Sequence, residues 1–222
     1  MHEALSHNLA GQKLGRKGRD TRDRILAAAI ELIEEGSEAP ISMSAVARRA
    51  SLAMTSLYNY FADFTELLLA VLDPVMETAE KAYLGRLRDR WNDAELGERC
   101  FEFVHAYHGF WARNSQLLHL RNAMADARDS RLITARVGST QPIINLLVLQ
   151  MDGDADDATS QPVAMATMTM IGIERSITIA TDRHLPYLVG WDFKRDDDRF
   201  VGPGARLLEL AIREVRAISP KA

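Results

Sequence analysis

The stretch from Ile41 to Leu72, ISMSAVARRASLAMTSLYNYFADFTELLLAVL, constrains this chain more than any other. It holds two short amphipathic patterns. In the first, Ser42 to Ala50, the apolar Met43, Val46, Ala47 and Ala50 share one side; in the second, about Ala53 to Phe61, Leu57 and Phe61 stand four apart. Residues three and four apart lie on one face of a helix, so each pattern predicts a helix with one inward side. Only a few residues join them, which forces a steep crossing. That arrangement is a helix-turn-helix, whose second helix fits a DNA major groove.

The flanking sequence supplies the braces. A helix is expected from about Thr21 to Glu35, with Asp20 or Thr21 as its cap, Ile25, Ala29, Leu32 and Ile33 on one face, and Gly36 ending it. Ser42, just after Pro40, is a good cap for the second helix. Its first backbone N–H groups, with the helix dipole, suit a phosphate. Arg48 and Arg49 in its last turn read as solvated charges. Asp63 and Glu66 form a capping pair for a fourth helix carrying Leu67, Leu68, Val71 and Leu72. Pro74 removes the N–H that would bond Ala70, so a kink or break is expected there, with the pattern resuming through Tyr83 and Leu87 to about Arg90. Residues 1–19, with Gly11, Gly15 and Gly18 and no apolar period, read as a flexible basic arm able to lie along phosphates or in a minor groove.

Charge follows the same division. The net charge of −4 does not point to nucleic acid, but residues 13–24 hold six basic and two acidic residues, whereas residues 61–222 hold 19 basic and 24 acidic. A basic end on an acidic body suits a DNA-reading head on a larger domain.

The string Leu57-Tyr58-Asn59-Tyr60-Phe61, followed by Asp63 and Glu66-Leu67-Leu68, resembles the DNA-binding signature of the tetracycline-repressor (TetR) family of bacterial regulators. With the preceding helix, the resemblance covers roughly Thr21 to Leu72. It implies that Met54, Thr55 and Asn59 face base edges, where asparagine bonds adenine bidentately and methyl groups meet thymine. By the same resemblance Tyr58 and Tyr60 meet phosphates, Ser42 and Met43 approach phosphates, and Ser44 reaches a base. The chain departs from the family pattern at four positions. Ser51 and Thr55 stand where glycine is usual, Ala53 where a serine or threonine caps the helix, and Phe64 where a lysine contacts phosphate.

Beyond Leu72 the chain reads as helices at about 95–113, 115–127, 129–151, 161–182 and 203–218, with no strand pattern. The 161–182 segment is apolar almost all round (Val163, Met165, Met168, Met170, Ile171, Ile173, Ile177, Ile179), which predicts burial on every side. Gly172 and Ser176 leave room there for a neighbouring backbone. The last helix, with Gly202 as cap and Pro203 in its first turn, carries Leu207, Leu208, Leu210, Ala211, Ile212, Val215 and Ile218, a stripe too wide for a surface helix. Two such helices predict a four-helix interface with a second subunit, as the resemblance also implies. His105, His108 and Trp111 recur every three residues and form one wall of a candidate effector pocket, with Met124 and Met168 opposite; core packing is the rival reading. The loop Asp182 to Val201, with Tyr187, Trp191, Phe193 and Phe200, is placed to cover a pocket or clasp a partner.

Several classes are set aside. Asp152 to Asp157 has acids at alternate positions but lacks glycine at the sixth position of a calcium loop and an acid at the twelfth, Val163. His105, His108 and His119 have no acid placed by the sequence to orient them, so neither a metal nor another cofactor is expected. There is no phosphate-cradling glycine loop or nucleophile elbow, so an enzyme is not expected. The N-terminus lacks a signal-peptide core, no strictly apolar run reaches ~18 residues, and Cys100, the only cysteine, precludes an intrachain disulfide. Cys100 reads as a small core residue. A cytoplasmic protein with no membrane partner is expected.

The expected molecule is therefore all-α. A basic arm (1–19) leads to a three-helix helix-turn-helix domain (20–66) and a helical ligand-binding and dimerisation domain (67–222). As a homodimer it would bind a palindromic double-stranded DNA operator, most simply as a repressor, and be released by a small-molecule effector. The alternative is a helical small-molecule-binding protein of the same fold with weak or no DNA binding.

Overall fold

In the computed structural model, which describes residues 14–36, 41–183, 185, 188, 190 and 199–218, every regular element is helical. In chain order these are α1 Arg16–Glu35, α2 Met43–Arg49, α3 Met54–Tyr58, α4 Phe64–Glu77, α5 Ala79–Ala82, a 3-10 turn Leu84–Leu87, α6 Leu96–Arg113, α7 Ser115–Asp126, α8 Ser130–Gln150, α9 Gln161–Thr181 and α10 Val201–Ile218. The chain forms two compact units. One runs up to Met76 and takes in Leu120–Ala135; the other comprises Glu77–His119 and the chain from Arg136 onward. The unit around the head is thus larger than residues 20–66, because α4 and the α7–α8 turn pack with it.

In the first unit, α1 begins at Arg16, five residues before the expected start, with Gly15 as its cap. Thr21 does not cap; its hydroxyl donates 2.9 Å to the Lys17 carbonyl one turn back. Residues 16–19 are therefore helix rather than arm, and residues 1–13 lie outside the described residues. Ile25, Ala28, Ala29 and Ile33 are buried. Gly36 closes the helix at φ 62°, its N–H bonded to the Ile33 carbonyl, a left-handed position that suits glycine.

Ser42 caps α2 by accepting the Ala45 N–H at 3.2 Å. The connection to α3 is a two-bond helix stop: Leu52 N–H reaches the Ala47 carbonyl at 2.9 Å and Ser51 N–H the Arg48 carbonyl at 3.1 Å. Ser51 occupies the left-handed position that this stop requires, at φ 54°. Ala53 starts α3 with no side-chain cap bond. The helix spans only Met54–Tyr58, shorter than the sequence pattern, and Asn59 and Tyr60 continue it as a turn. Leu57 and Phe61 are fully buried beneath it.

Cations of α1 and α2 tie the three helices together. Arg24 donates to the Ala50 carbonyl at the end of α2. Arg22 lies 5.2 Å from the centre of the Phe61 ring. Arg49 grips Glu35 with two bonds of 2.7 and 2.9 Å and Glu31 with a third of 3.1 Å. Arg49 is thus an exposed charge, as expected, but one held in an ion-paired clamp.

The capping pair of α4 forms as expected, with Glu66 N–H on Asp63 at 2.9 Å and Ala62 N–H on Glu66 at 2.7 Å. Asp129 caps α8 in the same unit, and the two caps are clasped. Thr65 donates 2.6 Å to Asp129, and Arg131 donates 2.9 Å to Asp63. These bonds hold both carboxyls below the usual carboxylate range, chiefly through Arg131 on Asp63 and Thr65 on Asp129. Pro74 does not break α4. The helix runs through it to Glu77 and gives way at Thr78. Its buried anchors end at Leu72, so packing carries the helix past the proline and support lapses one turn later.

In the second unit, α6, α9 and α10 enclose the core. Gly204 on α10 sits where an added Cβ would lie 3.6 Å from Val104 and 3.7 Å from Ile173, so the three helices meet closely there. Cys100 is buried among them, and that burial pushes its thiol up to about 12. Tyr83, Tyr107, Phe110 and Trp111 pack edge to face, with Tyr83–Tyr107 centroids 5.0 Å apart. Gln150, at the end of α8, is 1% exposed and accepts from Trp91 N–H at 2.9 Å while donating to the Leu87 and Asp89 carbonyls at 3.0 and 2.8 Å. It satisfies a buried irregular backbone that no helix completes. Asp152 pairs with Arg90.

Burial of α9 on every side does not hold within one chain. Ala164, Met168, Ile171, Gly172 and Arg175 form an exposed stripe, with Met168 70% exposed. On α10, Leu208, Ala211, Ile212 and Val215 point inward, while Pro203, Leu207, Leu210 and Ile218 are exposed, Leu207 by 63%. Both helices are apolar on two sides, which sequence periodicity alone reads as one broad stripe.

Two substitutions test these assignments by denaturant unfolding. Ser51→Gly relieves a left-handed side chain and is expected to stabilise the protein by about 0.5–1 kcal/mol. Gln150→Ala strands three buried backbone groups and should cost about 2–4 kcal/mol. Equal stability of either variant and the parent would contradict its assignment.

Candidate nucleic-acid interface

The helix stop at Ser51 and the two anchors of α3 decide which side chains face outward. Leu57 and Phe61 fix the inner side, so residues between and beside them project away from α1. Thr55, Tyr58 and Asn59 are exposed, Tyr58 by 46%, while Met54 and Tyr60 are half-buried at the edges. Ser42 and Ser44 are exposed at the start of α2, their hydroxyls 2.9 Å apart. Met43 differs: its side chain is buried, so only its backbone is left to meet a phosphate.

The polar groups on this surface are uncommitted. Among the described residues, the Thr55 and Tyr58 hydroxyls and the Asn59 amide make no hydrogen bond, and residues 41–62 contain no acid to repel phosphate. Two acids of the same unit, Glu35 and Asp63, are ion-paired. Arg49 hydrogen-bonds Glu35 and holds its carboxyl below the usual range. Arg131 does the same for Asp63. A short exposed row of hydrogen-bonding and methyl-bearing side chains on a helix, free of negative charge, suits base edges flanked by phosphates. Phe64, the first residue of α4, is half-buried and brings no charge.

The residues grouped from sequence as a pocket wall separate. His105 is exposed and stacks on Phe101 with centroids 5.9 Å apart. His108 and Trp111 are buried. Met168 lies on the exposed stripe of α9 and lines no interior wall. Met124 is half-buried and belongs to the unit of the head, unlike the other four. The structure instead brings His119 of α7 to Thr181 of α9, with Nε2 and Oγ1 3.2 Å apart, and sets the Trp111 ring edge-on to His119 at 6.0 Å. Ser115, Thr178 and Thr181 are also buried polar residues of this unit. Sequence reasoning missed these threonines because they sit about 60 residues from His119, on a helix read as wholly apolar. Of the loop aromatics, Tyr187, Trp191 and Phe193 lie outside the described residues. Among the described residues no three His, Cys, Asp or Glu side chains gather as a metal site. Two helices, Ser130–Gln150 and Gln161–Thr181, are long and apolar enough by composition to cross a membrane, which a count of strictly apolar runs overlooks. Each nonetheless sends one face into a core, through Leu132, Ile143 and Leu147 on α8 and Met170, Ile173 and Ile177 on α9.

Comparison with known proteins agrees with this geometry. No curated protein matches the chain significantly. Over the full fold, the structure is similar to a TetR family transcription regulator from Marinobacter aquaeolei VT8. The TM-score is 0.55 at 22% identity, covering 89% of this chain and 98% of that one. That likeness is one of fold. Residues 25–71, which carry the second half of α1, the stop at Ser51, α3 and the buried anchors of α4, match the family described as bacterial regulatory proteins, tetR family. Residues 25–71 are thus a DNA-binding head of the kind found in bacterial regulators of the tetR family, joined to a helical body whose fold is that of such a regulator.

Proposed function

We propose that the protein is a homodimeric repressor. Two copies of α3 read half-sites in successive major grooves of a palindromic operator, and a small molecule bound in the helical body releases it. The observation that carries this reading is the uncommitted row of Thr55, Tyr58 and Asn59, with Ser44 beside it, on a helix-turn-helix whose inner side is fully packed. Asn59 and Thr55 are assigned to bases, with Met54 and Ser44 beside them; Tyr58, Tyr60, Ser42 and the Met43 backbone are assigned to phosphates. The exposed apolar stripes of α9 and α10 support a second copy, since such faces at helical spacing are costly in water. The effector is assigned to the buried polar residues of the body, with His108, His119, Thr178 and Thr181 as its candidate contacts and Trp111 as an apolar wall. A ligand that favours one spacing of the two heads by about 1–3 kcal/mol changes operator affinity about 5–150-fold.

Selection of random duplex DNA on the purified protein, read by sequencing at two salt concentrations, tests the reading. A palindrome with salt-dependent recovery is expected. On that duplex Asn59→Ala should alter preference at one base pair of each half-site, whereas Tyr58→Phe should weaken all sequences alike. Equal, sequence-blind losses from both would remove Asn59 from the bases.

Sedimentation tests the interface. Leu207→Glu, on the exposed stripe, should yield folded monomers. Leu208→Glu, one residue on but fully buried, should unfold the chain instead. A folded Leu207→Glu dimer would exclude this face.

A further inference from the structure

The helix-turn-helix is poor in charge for a DNA reader. Residues 41–62 hold two cations, Arg48 and Arg49, and Arg49 is clamped by Glu31 and Glu35. Neutralising phosphates supplies much of the affinity for DNA, so further cations are needed beside the reading helix. The start of α1 carries them. Arg16, Lys17 and Arg19 are at the surface and precede the first acid of the helix, Asp20.

This turn is held in place. Leu14, just ahead of the helix, is 7% exposed. It lies over Gly18, where an added Cβ would come 2.9 Å from Leu14 Cδ2. Arg19 donates its Nη1 to the Leu14 carbonyl at 3.3 Å. Gly18 stands in helical register with the buried Ile25, Ala29 and Ile33, and Leu14, outside the helix, folds back over that stripe. The helix is joined in turn to the reading unit, through Arg24 on the Ala50 carbonyl and Arg22 over the Phe61 ring. Lys17 stands two turns before Arg24 on the same face, about 10 Å along the axis.

We propose that Leu14, folded over Gly18, locks the first turn of α1 into a rigid cationic surface on which Arg16 and Lys17 contact DNA phosphates beside the bases that α3 reads. Leu14, Gly18 and Arg19 are positioning residues; Arg16 and Lys17 touch the DNA. A merely solvated basic tail would have no use for a buried leucine or for a glycine beneath it. A preset surface avoids the loss of chain entropy that a loose arm suffers on binding. The proposal rests on the DNA-reading function.

The full-length protein is titrated with its selected duplex and with random duplex of equal length over a series of potassium chloride concentrations. The double variant Arg16→Gln/Lys17→Gln should weaken both complexes by the same factor. It should also flatten the plot of log affinity against log salt by about one to two units, at about 0.9 for each phosphate left without its cation. Leu14→Ser removes no charge, yet should also weaken both complexes and flatten the slope. Gly18→Ala, which favours helix but displaces Leu14, should repeat that result, and circular dichroism verifies that each variant is folded. Should Leu14→Ser unfold, Gly18→Ala decides. Wild-type slope and affinity in the folded Leu14 and Gly18 variants would overturn the lock. An unchanged double variant would overturn the contact surface. A wild-type protein that binds neither duplex even at low salt would instead refute DNA reading itself, and the proposal with it.

Discussion

The reading helix cannot hold its own shape. Five residues, Met54–Tyr58, make barely more than one turn, and isolated helices of this length do not persist in water. Its shape comes from Leu57 and Phe61, both fully buried, each contributing about 2–3 kcal/mol by leaving water. Those side chains need a floor, and α1 is that floor. The polar contacts are placed accordingly. Arg24 takes the end of α2, Arg22 covers Phe61, and Arg49 returns to Glu31 and Glu35. The helix stop at Ser51 then sets the angle at which α3 leaves. A change at any of these points displaces every outward side chain of α3 at once.

The body meets the opposite problem. Its helices are long enough to be stable by packing, but α9 and α10 have more apolar surface than one core absorbs. Their inward faces meet α6 at Gly204, Val104 and Ile173. Their outward faces, Met168 and Ile171 on one and Leu207 and Leu210 on the other, remain in water. A second copy presenting the same stripes would satisfy both at once, because a two-fold interface matches a face to itself. The clasp between Thr65 and Asp129 and between Arg131 and Asp63 shows how the head unit recruits chain from beyond α4. It joins two helix caps, so each carboxylate serves a helix and a neighbour together.

Helix positions in the body were legible to within one or two residues, because their apolar periods are long and Gly153, Pro162 and Pro203 punctuate them. The helix-turn-helix was legible from Leu57, Phe61 and the spacing to Val46. Three features were not. The start of α1 was hidden by Gly15 and Gly18, which read as loop residues. The two-sidedness of α9 and α10 was hidden because hydrophobicity tells how much surface is apolar, not which part a neighbour covers. The pair His119–Thr181 was hidden because a contact across 62 residues leaves no local pattern. The residues read as one pocket wall, His105, His108 and Trp111, part for a related reason. Three-residue spacing drifts around a helix, and here it carries His105 out to solvent while Trp111 stays inside.

The polar side chains that clasp the helix caps and fill the body's irregular backbone are saturated. Asp63 and Asp129 each use both carboxylate oxygens, and Gln150 accepts once and donates twice. Those on the outward side of α3 are not, and under the proposed reading that contrast is what makes discrimination possible. In the free protein, water serves Thr55, Tyr58 and Asn59, so holding them ready costs little. On a matching duplex each exchanges water for a base or phosphate, a nearly even trade of about 1 kcal/mol per bond. On a mismatched base the water is gone and nothing replaces it, at about 1–3 kcal/mol per stranded group. Specificity then lies less in the bonds made at the right site than in those that a wrong site leaves unmade. That penalty is exacted only if the side chains cannot retreat, and the buried anchors under a helix too short to bend are what prevent retreat.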